Sequence, residues 1–349
     1  METYLYRLSF KGPVHFGMEG IGLEAVEERL PSDSITSALI NAAAILLGPE
    51  GPNRMVKLLE AEPPPFVLSS LFPYGPHPSD DKKTVEAIVK PLIDLPLDGQ
   101  YPELHKELKK IRYLYPEDFL CWLEGKPLDD QGLEALLKRS RELTGQWWKK
   151  DIRPRVALDR ESQGSSIWNQ AAIFFEPEEK GRNGAIKKMG AGLYGLVRFI
   201  DPKWKKFLEE AFRMLGDTGV GGEKTYGLGL FDFGGFEPLP PIWEKIHTFP
   251  SEKFVLLSLY YPGNDEKEQV GGFFEAWEVR ERRGYIVSGK EALTVKRKRV
   301  RMLVEGSVSR KALRGTLVDV TPENPEKLGL RHRIFRSGLA FFVPLGGDR

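Results

Sequence analysis

Eight glycines fall in the twenty residues from Gly216 to Gly235. A helix interior does not tolerate that density, because each glycine costs about 1 kcal/mol relative to alanine there. The chain must turn repeatedly through this stretch. Just upstream, Trp204, Phe207, Leu208, Ala211 and Phe212 recur at helical spacing over residues 202–215, and Gly216 ends the run. Downstream, residues 226–233 predict a strand. A glycine-rich turn between helix and strand lets another polymer approach the backbone closely and can aim N–H groups at phosphates. Lys224 adds a cation to this loop, and Tyr226 a ring on which a base can stack. The spacing excludes two common nucleotide loops. Lys224 follows Glu223 with no Gly-Lys-Ser/Thr triplet, and the Gly219-Val-Gly221 pattern meets Lys224 where a dinucleotide fingerprint needs a third glycine.

The remaining pattern places this loop in an α+β chain. Tyr4, Tyr6, Leu8 and Phe10 alternate along an opening strand that Gly12 and Pro13 end. Ser32 and Asp33 stand at a helix start, followed by Ile35, Ala38, Leu39, Ala42 and Leu46 at helical spacing. Residues 50–145 carry turn formers over 77–98 and helical patterns near 102–114, 117–124 and 133–143. They predict an inserted, largely helical segment. Residues 173–175 and 193–200 predict strands. The Glu-Pro-Leu-Pro-Pro run at 237–241 marks a domain boundary. Beyond it, strands are predicted over 254–260, 276–288, 300–308, 316–320 and 339–344. This order favours two ferredoxin-like domains, one over residues 1–236 and one over 242–349.

Charge then limits what the chain can bind. Lys plus Arg number 51 and Asp plus Glu 50, so the net charge is +1 and any nucleic-acid affinity must come from local patches. Two patches stand out. Lys149, Lys150, Arg153, Arg155 and Arg160 follow Trp147 and Trp148, a mixture that suits phosphates and bases, around a predicted hairpin over about 155–172. Lys296 to Arg301 is the densest basic run. Read as a strand, it sets Arg297, Arg299 and Arg301 on one face, for RNA or an acidic partner or simply as a charged sheet edge. Ser34 at a helix N-terminus suits an RNA backbone, whereas Asp33 beside it would repel phosphate. His15 fits either a passive loop contact or a general acid–base in RNA cleavage.

Other chemistry is poorly provided for. A single cysteine, Cys121, excludes an internal disulfide and a cysteine-based zinc site, and no His-Glu-x-x-His occurs. The expectation is no metal, no cofactor and no catalytic residue. No apolar run approaches the ~18 residues of a membrane span. A soluble, cytoplasmic chain with no membrane partner is expected.

Several motifs carry a resemblance. The loop at 216–229 resembles the glycine-rich loop of the RAMP superfamily, the RRM-like proteins of CRISPR systems. Residues 10–17 and 31–39 resemble the opening of the fourth Csm subunit of type III-A complexes. Residues 155–160 resemble that family's segment leading into a protruding hairpin, and 300–308 and 315–322 its C-terminal half. The matches run in the family's order along most of the chain, and 50–145 matches least. The resemblance implies two RRM-like domains and a non-catalytic role. It implies a subunit that grips the 5′ handle of the CRISPR RNA beside the large polymerase-like subunit and the backbone RAMP subunits. Gly219, Gly221 and Gly222 would bring N–H groups to the handle, Lys224, Arg155 and Arg160 would neutralise phosphates, and Tyr226 would stack. The alternatives are a metal-independent endoribonuclease using His15 and a protein-only scaffold.

Overall fold

The computed structural model describes residues 1–18, 23–77, 80–94, 102–159, 161, 164–175, 178–180, 186–188, 190–286, 295–328, 330 and 332–346. The chain is mixed α/β. Its largest sheet runs in the order Phe231–Phe233, Glu2–Phe10, Gly192–Phe199, Phe72–His77, Asp80–Glu86, with every neighbouring pair antiparallel. Between these strands the chain inserts the helices Ser32–Leu46 and Trp204–Thr218, which pack on each other. The path through these strands is thus strand, helix, three strands, helix, strand, and the first and last strands lie side by side.

The opening strand is paired along both edges, and its middle is buried on both faces. Leu5, Tyr6 and Leu8 are all fully buried. Tyr6 packs on Phe212 of the second helix at 4.8 Å between ring centroids, within a cluster that includes Phe233 and Phe236. A second sheet orders Phe274–Ala276, Val308–Ser309, Lys253–Leu256 and Phe342–Gly346.

The middle of the chain departs from the sequence expectation. Residues 50–145 are not one largely helical insertion. Phe66–Leu68, Phe72–His77 and Asp80–Glu86 are strands of the main sheet. Prolines and glycine inside them (Pro73, Gly75, Pro76) hid the strand pattern. Helices dominate only from Pro102 onward, as Pro102–Lys110, Pro116–Glu124 and Asp130–Gln146. The helix Pro116–Glu124 crosses to the other half and packs on Pro241–Thr248 and on the last strand. Gly346 lets it do so, since a Cβ there would lie 2.8 Å from Leu123 O.

A buried ionic seam joins the two halves. Asp33 is wholly buried, and both its oxygens accept from Arg282 at 3.0 Å, with Arg336 donating as well. Burial alone would push the Asp33 carboxyl up, but the two guanidinium charges and their hydrogen bonds outweigh it and hold the group well below the usual range. Nearby, Arg29 pairs with Glu27 at 2.9 Å and with Glu305 at 3.2 Å, and Ser70 donates to Glu305.

Candidate nucleic-acid interface

Residues 11–17 run between the glycine loop and a long hairpin, and tie to both. On one side Lys11 N–H donates to Leu230 O at 2.9 Å, Gly229 N–H to Pro13 O at 3.0 Å and Gly222 N–H to His15 O at 2.8 Å. On the other, Val14 and Ile173 exchange two backbone hydrogen bonds of 2.9 Å. The glycines allow this closeness. Gly221 has φ +89°, and a Cβ there would lie 2.7 Å from His15 O.

His15 lies beneath this contact and is only 4% exposed. Its Nδ1 lies 2.8 Å from Ala171 O. A carbonyl only accepts, so Nδ1 carries a proton, and Nε2 lies beside Gly17. A general acid–base must reach its substrate's proton. The ring instead props the glycine loop, since a Cβ on Gly222 would come within 2.9 Å of His15 Cδ2.

The hairpin pairs Lys149–Leu158 with Ser165–Phe174 over ten residues in unbroken register. It is longer than the 155–172 expected, because the strands begin at its buried base near Trp147. Strand alternation sorts its side chains. Lys149, Arg153, Arg155, Trp168 and Gln170 share one face. Lys150 falls on the other, with Ile152, Val156, Leu158 and Ile167, which are exposed. Arg155 Nε donates to Gln170 Oε1 at 2.9 Å, and its guanidinium lies 5.8 Å from the centroid of the Tyr226 ring. Tyr226 is 69% exposed. Arg153 pairs with Asp151 at 2.6 Å and sits over Phe174. Lys149 and Lys224 are exposed. The cationic face of the hairpin and the tip of the glycine loop therefore meet at one corner, where a phosphate and a base can be held side by side.

Several expected residues stand differently. Gly219 N–H closes the preceding helix on Leu215 O at 2.7 Å, and Gly222 N–H is taken by His15 O. Neither N–H is left to face a phosphate, so these two glycines shape the loop. Tyr226 belongs to the short 3-10 turn Lys224–Tyr226, not to a strand. Positive φ at Gly227 and Gly229 delays the strand to Phe231–Phe233. Ser34 lies in the ionic seam, where Arg282 donates to its hydroxyl at 3.2 Å. Arg160 is outside the described residues.

The basic run near 300 is not one strand either. The strand is only Val300–Leu303, so Arg297, Arg299 and Arg301 do not form one strand face. Arg297 is half-buried, Arg299 pairs with Glu281 at 3.0 Å, and Arg301 is exposed. Gln170 and Trp168 are the members of the corner that sequence reading left out. Their signal was the alternation over 165–174, which needed the register of the hairpin to be useful. Among the described residues no cluster of three or more His, Cys, Asp or Glu is placed to hold a metal, and no helix is long and apolar enough to cross a membrane.

The chain is similar to known proteins of CRISPR systems. Residues 250–345 match the family model of the CRISPR Csm4 C-terminal domain. A Csm4 protein of a CRISPR system in Thermococcus onnurineus is 27% identical over 323 residues, covering 90% of each chain. A chain in the Csm3–Csm4 subcomplex of a type III-A CRISPR-Cas interference complex shares the fold at a TM-score of 0.59, with 18% identity over 99% of each chain. One in a Csm1–Csm4 cassette bound to cA4 does so at 0.57, with 19% identity over 99% of each. The domain match, the chain-long similarity and the common fold converge: residues 250–345 carry a Csm4 C-terminal domain, and the chain is similar along its length to Csm4 proteins of CRISPR systems.

Proposed function

We propose that the chain is a non-catalytic RNA-binding subunit of a cytoplasmic type III-A Csm effector complex, gripping the 5′ handle of the CRISPR RNA. It docks there to the large polymerase-like subunit and to backbone RAMP subunits, a reading supported by the relatives found in Csm1–Csm4 and Csm3–Csm4 assemblies. Residues 1–236 act as an RRM-like RAMP domain of ferredoxin-like topology, and 242–349 as a second, RAMP-like domain. The observation that carries the reading is the corner where Arg155, on a ten-pair hairpin, meets the exposed ring of Tyr226 on the glycine loop. Arg155, Lys149, Arg153 and Lys224 supply charge for phosphates, Tyr226 and Trp168 supply faces for bases, and Gly221 keeps the loop low enough for RNA to pass over it. The burial of His15 supports grip without cleavage.

The test is to co-express the chain with a CRISPR array and the other complex genes, crosslink with ultraviolet light and map the RNA contact. Crosslinks from residues 149–170 and 221–226 to the 5′ handle are expected. Crosslinks to guide or target only would refute handle binding, and an absence of crosslinked RNA would leave a protein-only scaffold. RNA cleavage without metal that His15→Ala abolishes would establish the endoribonuclease instead.

A further inference from the structure

The C-terminal half carries a second surface with the chemistry of single-stranded nucleic acid. Val279–Arg282 pairs antiparallel with Val300–Leu303, and Tyr285 bridges to Lys296 farther along the same ribbon. The ribbon is two-faced. Arg282, Val300 and Met302 turn inward and are buried, Arg282 on Asp33. Val279, Glu281 and Arg301 turn outward and are exposed.

Two large aromatic side chains stay out of the core here. Trp277, two residues before the ribbon, is 53% exposed, and Tyr285 is 57% exposed with the Lys296 ammonium 5.1 Å from its ring centroid. Leaving a tryptophan and a tyrosine half in water forgoes burial that aromatic side chains otherwise dominate. The charge around them is one-sided. Residues 277–286 and 295–303 hold eight Lys and Arg against two Glu, in a chain whose net charge is +1. Arg280 and Arg282 serve the ionic seam and Arg299 is paired with Glu281. Lys296, Lys298 and Arg301 have no ion-pair partner among the described residues. Exposed rings beside uncompensated cations match a polymer that alternates flat bases with phosphates. An acidic protein surface would use the cations but gives no reason for two half-exposed rings.

We propose that Trp277, Tyr285, Lys296, Lys298 and Arg301 form a second platform for single-stranded RNA, separate from the hairpin and glycine-loop corner. The cations neutralise phosphates, and Trp277 and Tyr285 each stack a base. The inference does not depend on the handle reading.

The test is fluorescence anisotropy of the purified full chain with a short fluorescein-labelled single-stranded RNA of mixed sequence, in roughly 50 to 200 mM salt. Four proteins are compared: wild type, Arg155→Ala/Lys224→Ala, Lys298→Glu/Arg301→Glu, and Trp277→Ala. All altered side chains are exposed, and unchanged melting temperatures check the fold. The Arg155/Lys224 variant should retain salt-dependent binding. In Lys298→Glu/Arg301→Glu the slope of log K against log salt should shrink by about 1.4, two phosphate contacts being lost. Trp277→Ala should bind about tenfold more weakly. Wild-type affinity and slope in the Lys298/Arg301 and Trp277 variants would overturn the platform and leave the ribbon as a protein interface. Loss of all binding in the Arg155/Lys224 variant alone would also overturn it while upholding the corner. RNA that the wild type does not bind even at the lowest salt would overturn it as well.

Discussion

The guanidinium of Arg155 lies 5.8 Å from the ring centroid of Tyr226, linking a hairpin strand to a loop 71 residues farther along the chain. The contact is exposed, and such cation–π pairs contribute about 0.5–1 kcal/mol. A double-mutant cycle with Arg155→Ala and Tyr226→Ala should therefore show a coupling of about 0.5–1 kcal/mol in urea denaturation. A coupling near zero would mean that hairpin and loop are set independently. In the assembled particle, Arg155→Ala should also lower guide-RNA retention.

The packing of His15 under Gly222 gives a sharper test of the histidine's role. A Cβ on Gly222 would come within 2.9 Å of the buried ring, so Gly222→Ala must displace a side chain that Ala171 O holds in place. Overpacking of this kind typically costs about 1–3 kcal/mol. Removing the ring makes room, so Gly222→Ala should be much milder in a His15→Ala background. Melting temperatures of the four proteins measure this. Additive losses would show that the ring is not what limits the loop.

The fold was legible where periodicity was clean. Tyr4 to Phe10 and Ile35 to Leu46 announce a strand and a helix because their large apolar residues recur at the period of each element. The strand Phe72–His77 was not legible, since Pro73, Gly75 and Pro76 break every pattern that would mark it. At the corner, glycine density and the Lys-Arg-Trp cluster pointed to the right segments. The meeting of Arg155 with Tyr226 is a tertiary fact that no local spacing encodes. The roles of Gly219 and Gly222 went astray for the same reason: which N–H groups remain free depends on Leu215 O and on His15 O, and the latter lies over two hundred residues away. Asp33 looked like a helix cap because its two partners, Arg282 and Arg336, stand in the other half of the chain.

That pairing makes Asp33 the residue on which the seam between the halves depends. Asp33→Ala strands two buried guanidinium groups, and breaking a buried ion pair in this way costs about 3–5 kcal/mol. Replacing Asp33, Arg282 and Arg336 together with Leu or Met should cost far less, because no uncompensated charge remains. The carboxyl is held below its usual range. Its contribution is therefore full above the ordinary carboxylate pKa and is lost as pH falls below it. Urea midpoints for wild type and Asp33→Ala at neutral and acid pH should converge as the medium becomes acidic. A difference that stays constant with pH would exclude charge as the cause.

His247 should titrate in a different window. Its Nε2 lies 3.1 Å from Arg198 Nη2, which also donates to Phe342 O at 3.1 Å. An arginine only donates, so Nε2 must accept and the imidazole must be neutral. Burial first, and then the Arg198 charge, lower its pKa to about 4. No carboxylate pairs with this arginine among the described residues, and its guanidinium stacks on Phe341 at 4.6 Å. The folded chain therefore binds fewer protons than the unfolded chain between about pH 6.5 and pH 4. Above that range the group adds no pH dependence. As pH falls through it, stability should drop by an amount on the order of 2–3 kcal/mol, because an imidazolium would stand beside a guanidinium at the junction of the two halves. His247→Gln keeps an acceptor for Arg198 and removes the proton site. Its urea midpoint should be flatter than that of wild type between pH 6.5 and pH 4, and parallel profiles would show that another group carries the dependence.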